Sequence, residues 1–208
     1  MKVLLINGSP NVHGCTARAL EEVAKTLEEE GIETETIQVG SKAVRGCIAC
    51  GYCRSHKQCA INDIVNEVMP KFEAADGLIV GSPVYYAGPN ATVTAFLDRL
   101  FHGTPWLDKR MKVGAAVVSS RRGGDTATFD RLNKYFTIAQ MPVVSSIYWN
   151  NVHGFTAEDV EKDLEGLQTM RVLARNAAFL IKSIALGKEQ IGLPKEEKRV
   201  STNFMDGK

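Results

Sequence analysis

Short β-branched runs alternate along this chain with amphipathic helical stretches. That alternation restricts it to one architecture, a parallel sheet covered by helices on both faces. Strands are expected over 3–7, 33–39, 77–81, 112–119 and 142–148, with helices over 16–30, 63–74, 90–101, 125–139 and 157–186. Three of the strands are nearly all apolar, as strands buried on both faces must be, whereas Glu33-Thr34-Glu35-Thr36 alternates as an edge strand does. The first helix carries a stripe of Ala17, Leu20, Val23, Ala24 and Leu27 and stops at Gly31, a natural C-cap. The last keeps helical spacing from Leu164 to Ile181. One domain over 1–187 is expected. A tail over 188–208 shows no such periodicity and reads as a mobile end or an arm on a partner subunit.

At 208 residues, 44% hydrophobic and 24% charged, with a net charge of +1, the chain is long enough for one domain with a buried core. Its basic residues are scattered, so nucleic acid is not implied, and no apolar stretch approaches the roughly 18 residues of a membrane span. The run from Val3 to Ile6 is too short for a signal-peptide core. A cytoplasmic location follows, where thiolates stay reduced.

Four of the five cysteines fall within one short segment, Cys47-x-x-Cys50-x-x-Cys53 followed by Cys59. Four thiolates are the ligand set of a cubane iron-sulfur cluster, and two C-x-x-C steps in succession bring three sulfurs onto one small object, with the fourth closing the cage. Zinc is the other metal reading, although zinc pairs are usually separated by a long stretch. Free thiols or oxidised pairs are the remaining one. The segment lies between the second strand and its helix, at the carboxyl end of the sheet, where open α/β folds gather ligands.

Three further loops reach that edge. After the first strand, 7–16 turns into a helix through small and hydroxyl-bearing residues, a cradle for an anion at the positive end of the helix dipole. Neither G-x-G-x-x-G nor G-x-x-x-x-G-K-[ST] is present, so a monophosphate fits better than a dinucleotide or triphosphate; an ordinary turn capped by Thr16 is the plain alternative. Cys15 is the odd cysteine. After the third strand, 81–89 is stiff and apolar, with Tyr85 and Tyr86 either stacking on a flat heterocycle or packing on a neighbouring subunit. After the fourth, 119–125 carries Arg121 and Arg122, which either hold a phosphate or stand as surface charges.

Together, G-S-P at Gly8, S-P-V-Y-Y at Ser82, G-G-D at Gly123 and Trp149-Asn150-Asn151-Val152-His153-Gly154 resemble the NADPH-dependent FMN reductase branch of the flavodoxin-like superfamily over about 1–185. With the cysteine segment added, the chain resembles the iron-sulfur flavoproteins. The resemblance implies an α/β flavodoxin-like fold, a doubly wound five-stranded parallel sheet of order 2-1-3-4-5 with helices on both faces. It also implies FMN, a 4Fe-4S cluster and a homodimer or homotetramer. Ser9, Asn11, Gly14, Cys15 and Thr16 would then meet the FMN phosphate. Pro83, Val84, Tyr85, Tyr86 and Ala87 would lie under the ring, with Ser119, Arg121, Gly123 and Gly124 in the third flavin loop. Cys47, Cys50, Cys53 and Cys59 would hold the cluster.

A flavin paired with a cluster converts two-electron into one-electron chemistry, and the chain reads as an FMN-dependent oxidoreductase doing so with a small-molecule or protein partner such as ferredoxin. No acid-base pair is required of the protein. A cluster-free NAD(P)H-dependent flavin or quinone reductase and a non-enzymatic redox sensor or carrier are the rival readings. They differ in whether pyridine nucleotide bleaches the flavin rapidly or no donor gives turnover.

Overall fold

The computed structural model describes residues 1–198 and 200. In chain order the elements are β1 (Lys2–Asn7), α1 (Cys15–Glu29), β2 (Glu33–Gln38), α2 (Cys53–His56), α3 (Ile64–Ala74), β3 (Gly77–Tyr85), β4 (Gly88–Pro89), α4 (Ala91–His102), β5 (Val113–Ser120), α5 (Asp125–Ile138), β6 (Asn151–His153), α6 (Ala157–Val160) and α7 (Leu164–Gln190). The sheet order is β2-β1-β3-β5-β6, all parallel, with β4 folded back antiparallel on β3. With β4 set aside this is the flavodoxin-like order, and it reverses direction between β1 and β3, where such folds bind ligands.

Alternation along the buried strands divides the core in two. Val3 and Leu5 of β1 and Val113, Ala115 and Val117 of β5 pack with α1 and α7. Leu4, Ile6, Ala116 and Val118 pack on the other face with α3, α4 and α5. Because successive strand residues point to opposite faces, a strand covered on both sides must be apolar at every position. β2 is half-buried at the sheet's edge, as its alternating polar sequence requires. Lys2 pairs with Glu33 and Glu35, and Lys71 also reaches Glu35. These charges line an edge whose free backbone groups would otherwise be open to another chain.

Three elements differ from the sequence reading. The third strand runs on through Ser82, Pro83 and Val84 to Tyr85, so the expected 81–89 loop is a hairpin with Tyr86 and Ala87 at its tip. Both tip residues have positive φ, 50° and 57°, as a type I′ turn requires. The fifth strand is interrupted. Within 142–148 a single bridge forms, Gly114 to Val143, and regular pairing resumes only at Asn151 opposite Val118. Four positions on β5 thus face eight on its neighbour, so four residues are looped out. Asn176 donates to the Ser145 carbonyl at 2.9 Å and Ser146 to the Thr169 carbonyl at 2.7 Å, drawing the loop toward α7. Ile147 and Tyr148, which end the expected strand, and Trp149 just after it are exposed. The final helix is broken before Leu164, where the Asp163 carboxylate accepts from the backbone N–H groups of Gly166 at 2.9 Å and His153 at 2.6 Å. The bond from Gly166 caps α7.

Part of the expected 188–208 tail lies outside the described residues. Of the rest, 188–190 complete α7, and Arg110 meets the Pro194 carbonyl and the Glu196 carboxylate. No helix among the described residues is long and apolar enough to cross a membrane.

Candidate functional site

Parallel strands deliver three loops to one edge of the sheet, and the loops are tied to one another. Gly8 N–H donates to the Gly81 carbonyl at 2.8 Å, joining the first loop to the end of β3. Thr16 Oγ1 and Ser119 Oγ lie 2.8 Å apart in a buried contact between residues 103 positions apart in sequence, joining the first loop to the third. A methyl group on Gly124, whose φ is 90°, would lie 2.8 Å from Ala87 Cα, so the third loop meets the hairpin there at glycine distance.

The first loop is shaped by its own polar side chains. Asn7 Oδ1 accepts from Ser9 N–H, Ser9 Oγ from Asn11 N–H, and Asn11 Oδ1 from His13 N–H, at 3.0, 3.1 and 3.1 Å. These local bonds are the usual work of Asn and Ser in turns. They bring the chain to Gly14, the N-cap of α1, where no side chain caps the helix and the first turn holds no acid. The N–H groups of the first turn are therefore available to an anion. The Cys15 side chain is engaged elsewhere: its Sγ–H donates to the Thr156 carbonyl at 3.2 Å, and burial pushes its pKa up.

In the third loop Ser119 and Ser120 are buried, and the Ser120 hydroxyl has no hydrogen-bond partner among the described residues. Such an orphan at the binding edge fits a polar ligand. Arg121 is exposed, with its guanidinium 5.8 Å from the Phe155 ring. Tyr85 is half-exposed and Tyr86 fully so. His153 stands between Asp125 and Asp163, its ring nitrogens 3.7 and 3.6 Å from their carboxylates.

The cysteine segment forms a second centre. All four thiols are free, and Cys47, Cys50, Cys53 and Cys59 line one small hollow with Arg99, His102 and Gly103. Positive φ angles at Ala49, Gly51 and Lys57 curl the chain around it. Cys47 and Cys50 are exposed, whereas Cys53 is buried, 3.9 Å from the His102 carbonyl. Asn66 pins the backbone of Cys59, accepting from its N–H at 2.7 Å and donating to its carbonyl at 3.0 Å. Among the described residues, no group of three or more His, Cys, Asp or Glu is placed to hold a single metal ion. A cubane asks for something different, thiolates spread around four irons, and the donor set fits that group.

The hollow is not beside the three loops. α4 starts under the hairpin at Asn90, whose N–H donates to Ser82 Oγ at 3.0 Å, and the hollow lies at its other end. Twelve helical residues at 1.5 Å each separate the two ends by about 18 Å. The expectation that the cysteine segment shares the carboxyl edge is corrected to this extent.

A model of NADPH-dependent FMN reductases matches residues 1–156. The chain belongs to that family. An iron-sulfur flavoprotein of Methanocaldococcus jannaschii is 37% identical over 191 residues, covering 88% of this chain and 99% of the relative. One of Methanosarcina thermophila is 33% identical over 196 residues, covering 91% and 100%. The solved structure of RosB with a bound 8-demethyl-8-formylriboflavin-5′-phosphate intermediate shares the fold, with a TM-score of 0.71 over 100% of this chain and 95% of that one at 15% identity.

Membership in the FMN reductase family makes this an FMN-dependent redox protein. The uncapped helix start, the buried Ser9 and Thr16 and the orphan Ser120 hydroxyl suit a flavin phosphate and ring edge at the three loops. Arg99 and Asn66, which hold the cysteine segment, were not singled out from sequence. Neither was Gly40, where a Cβ would fall 2.2 Å from the backbone of Gly8 and Ser9. Their only sequence trace is an unremarkable arginine, asparagine and glycine, because each acts through a partner distant in the chain.

Proposed function

We propose that this chain is an FMN-dependent oxidoreductase that carries electrons between FMN at the three loops and a 4Fe-4S cluster on the cysteine segment. The supporting observation is the convergence of four unpaired thiols on one hollow beside a buried guanidinium. The two relatives named above are both called iron-sulfur flavoproteins and align over nearly their whole length. In this reading Ser9, Asn11, Gly14, Cys15 and Thr16 surround the phosphate. Pro83, Val84, Tyr85, Tyr86 and Ala87 form the platform under the ring, and Ser119, Arg121, Gly123 and Gly124 close its other side. Cys47, Cys50, Cys53 and Cys59 are the cluster ligands. When bound, the cluster supplies one-electron transfer and FMN supplies one- or two-electron transfer.

The chain's own residues provide position and charge. With most of α4 lying between its two centres, transfer is best served in a homodimer or homotetramer that sets one subunit's cysteine segment against another's flavin loops. The chain has no carboxylate between Glu35 and Asp63, while Lys42, Arg45, Arg54 and Lys57 stand exposed around the cysteines. That sign suits an acidic protein donor such as a ferredoxin.

A second reading, a cluster-free NAD(P)H-dependent flavin reductase, is favoured by the family's name and by the exposure of Cys47 and Cys50. Replacing Cys47 and Cys50 together by Ser separates the two. FMN content should persist while reduction of the flavin by a one-electron donor, such as reduced methyl viologen, falls at least tenfold. An unchanged one-electron rate, with rapid bleaching by NADPH, would give the second reading the site.

A further inference from the structure

Arg99 is the largest fully buried side chain in the molecule's described part, with 1% of its surface exposed, and its guanidinium is committed to the cysteine segment. It makes a two-pronged pair with Asp63, Nη1 to Oδ2 at 2.5 Å and Nη2 to Oδ1 at 2.9 Å. It also donates to the Arg45 and Ile61 carbonyls at 3.2 and 2.8 Å, so it grips the chain on both sides of the four cysteines. Its Nε–H is left for sulfur, 3.4 Å from Cys59 Sγ, and Nη2, whose two hydrogens already serve Asp63 and Ile61, lies 3.2 Å from the same atom. Among the described residues, Cys47, Cys50 and Cys53 receive no such donor. One carboxylate is enough to neutralise one guanidinium, and a lysine would have served for charge alone; what the planar fork adds is an N–H donor directed at one sulfur while its other hydrogens are held by oxygen.

We propose that Arg99 is a positioning residue for the cluster, which holds Cys59 by its Nε–H···S bond and sets the cluster's potential through that one sulfur. The inference rests on the cluster reading above and goes beyond it by making the four ligands unequal. N–H donors to a ligand sulfur favour the more negative, reduced cluster, and so raise its potential. The nearby Asp63 carboxylate opposes them.

The test is a potentiometric titration of the anaerobically reconstituted full-length protein, read by low-temperature EPR alongside iron and acid-labile sulfide content. Arg99→Lys, which keeps the charge and loses the fork, should move the cluster midpoint to more negative values. Asp63→Asn, which keeps the donors and removes a negative charge, should move it to more positive ones. The FMN midpoints should stay in place in both. A merely structural role would lower cluster occupancy in either variant without opposite shifts in the clusters that remain. Full iron with unmoved midpoints overturns the inference and leaves the cluster reading standing. If Arg99→Lys does not fold, Asp63→Asn decides alone, and a midpoint unchanged or moved negative overturns the inference. Absence of iron from the unaltered protein overturns both.

Discussion

Gly40→Ala should damage flavin binding from a position that touches no flavin. Gly40 follows β2 and abuts the first loop, and a Cβ there would lie 2.2 Å from Gly8 O, Ser9 C and Ser9 O, where ordinary contact begins at 3.4 Å. All three atoms are backbone, so none can rotate away, and the loop must retreat by more than 1 Å. The contact is held by Gly40 N–H and Val39 N–H, both donating to the Asn7 carbonyl, and by Gln38 Nε2 donating to the Ser9 carbonyl, at 3.0, 2.9 and 2.7 Å. Losing two of these bonds at about 1 kcal/mol each lowers stability by about 2 kcal/mol. In a domain of this size that corresponds to about 4–8 °C in Tm. With the flavin phosphate on the first loop as proposed, withdrawal of one N–H removes a bond to a charged group worth about 1.5–3 kcal/mol, which weakens FMN binding by about 10- to 150-fold. Titration of FMN-free protein by flavin fluorescence measures this directly, with thermal melts in parallel. Gly187→Ala, at a position open to solvent, is the control. Binding within twofold of the unaltered protein and an unchanged Tm in Gly40→Ala would refute the argument.

Three other outcomes are expected. Thr16→Val deprives the buried Ser119 hydroxyl of its partner and should cost about 1–3 kcal/mol in urea unfolding, with much of the loss recovered when Ser119→Ala is added, because the orphan is then removed. Burial alone would raise the pKa of Glu22, but hydrogen bonds from Arg171 and Arg18 hold it below its ordinary value. Its stabilising contribution is thus present above the unfolded carboxylate pKa of about 4.3 and is lost as pH falls through the lower folded value; Glu22→Gln should weaken the pH dependence of Tm in that acid range. Electron exchange with an acidic protein carrier should slow as ionic strength rises from about 0.01 to 0.15 M and the screening length falls from about 30 to 8 Å, while exchange with an uncharged quinone should not.

The central strands were readable because each is buried on both faces and therefore apolar throughout, and β1 and α1 lie within a residue or two of their expected bounds. The fifth strand was not, since Ile147, Tyr148 and Trp149 have strand composition but face solvent in a loop held by Ser146 and Asn176. Composition reports what a residue can pair with, whereas the partner here is α7, more than twenty positions away. At the candidate site the reactive types announced themselves, four cysteines by spacing and three loops by small and hydroxyl residues. Their supports did not. Arg99 lies within an ordinary amphipathic helix, and its burial becomes intelligible only when Asp63 and Cys59 arrive from across the fold. The distance between the two centres was equally hidden, since sequence assigns both to one sheet edge and only the length of α4 separates them.

Iron and acid-labile sulfide analysis, with a visible spectrum, of protein purified and reconstituted without oxygen tests the two-centre reading most directly. The expected result is FMN together with iron and sulfide in the four-to-four ratio of one cubane per chain. A flavin spectrum with no iron after reconstitution would contradict it and leave a cluster-free flavin reductase.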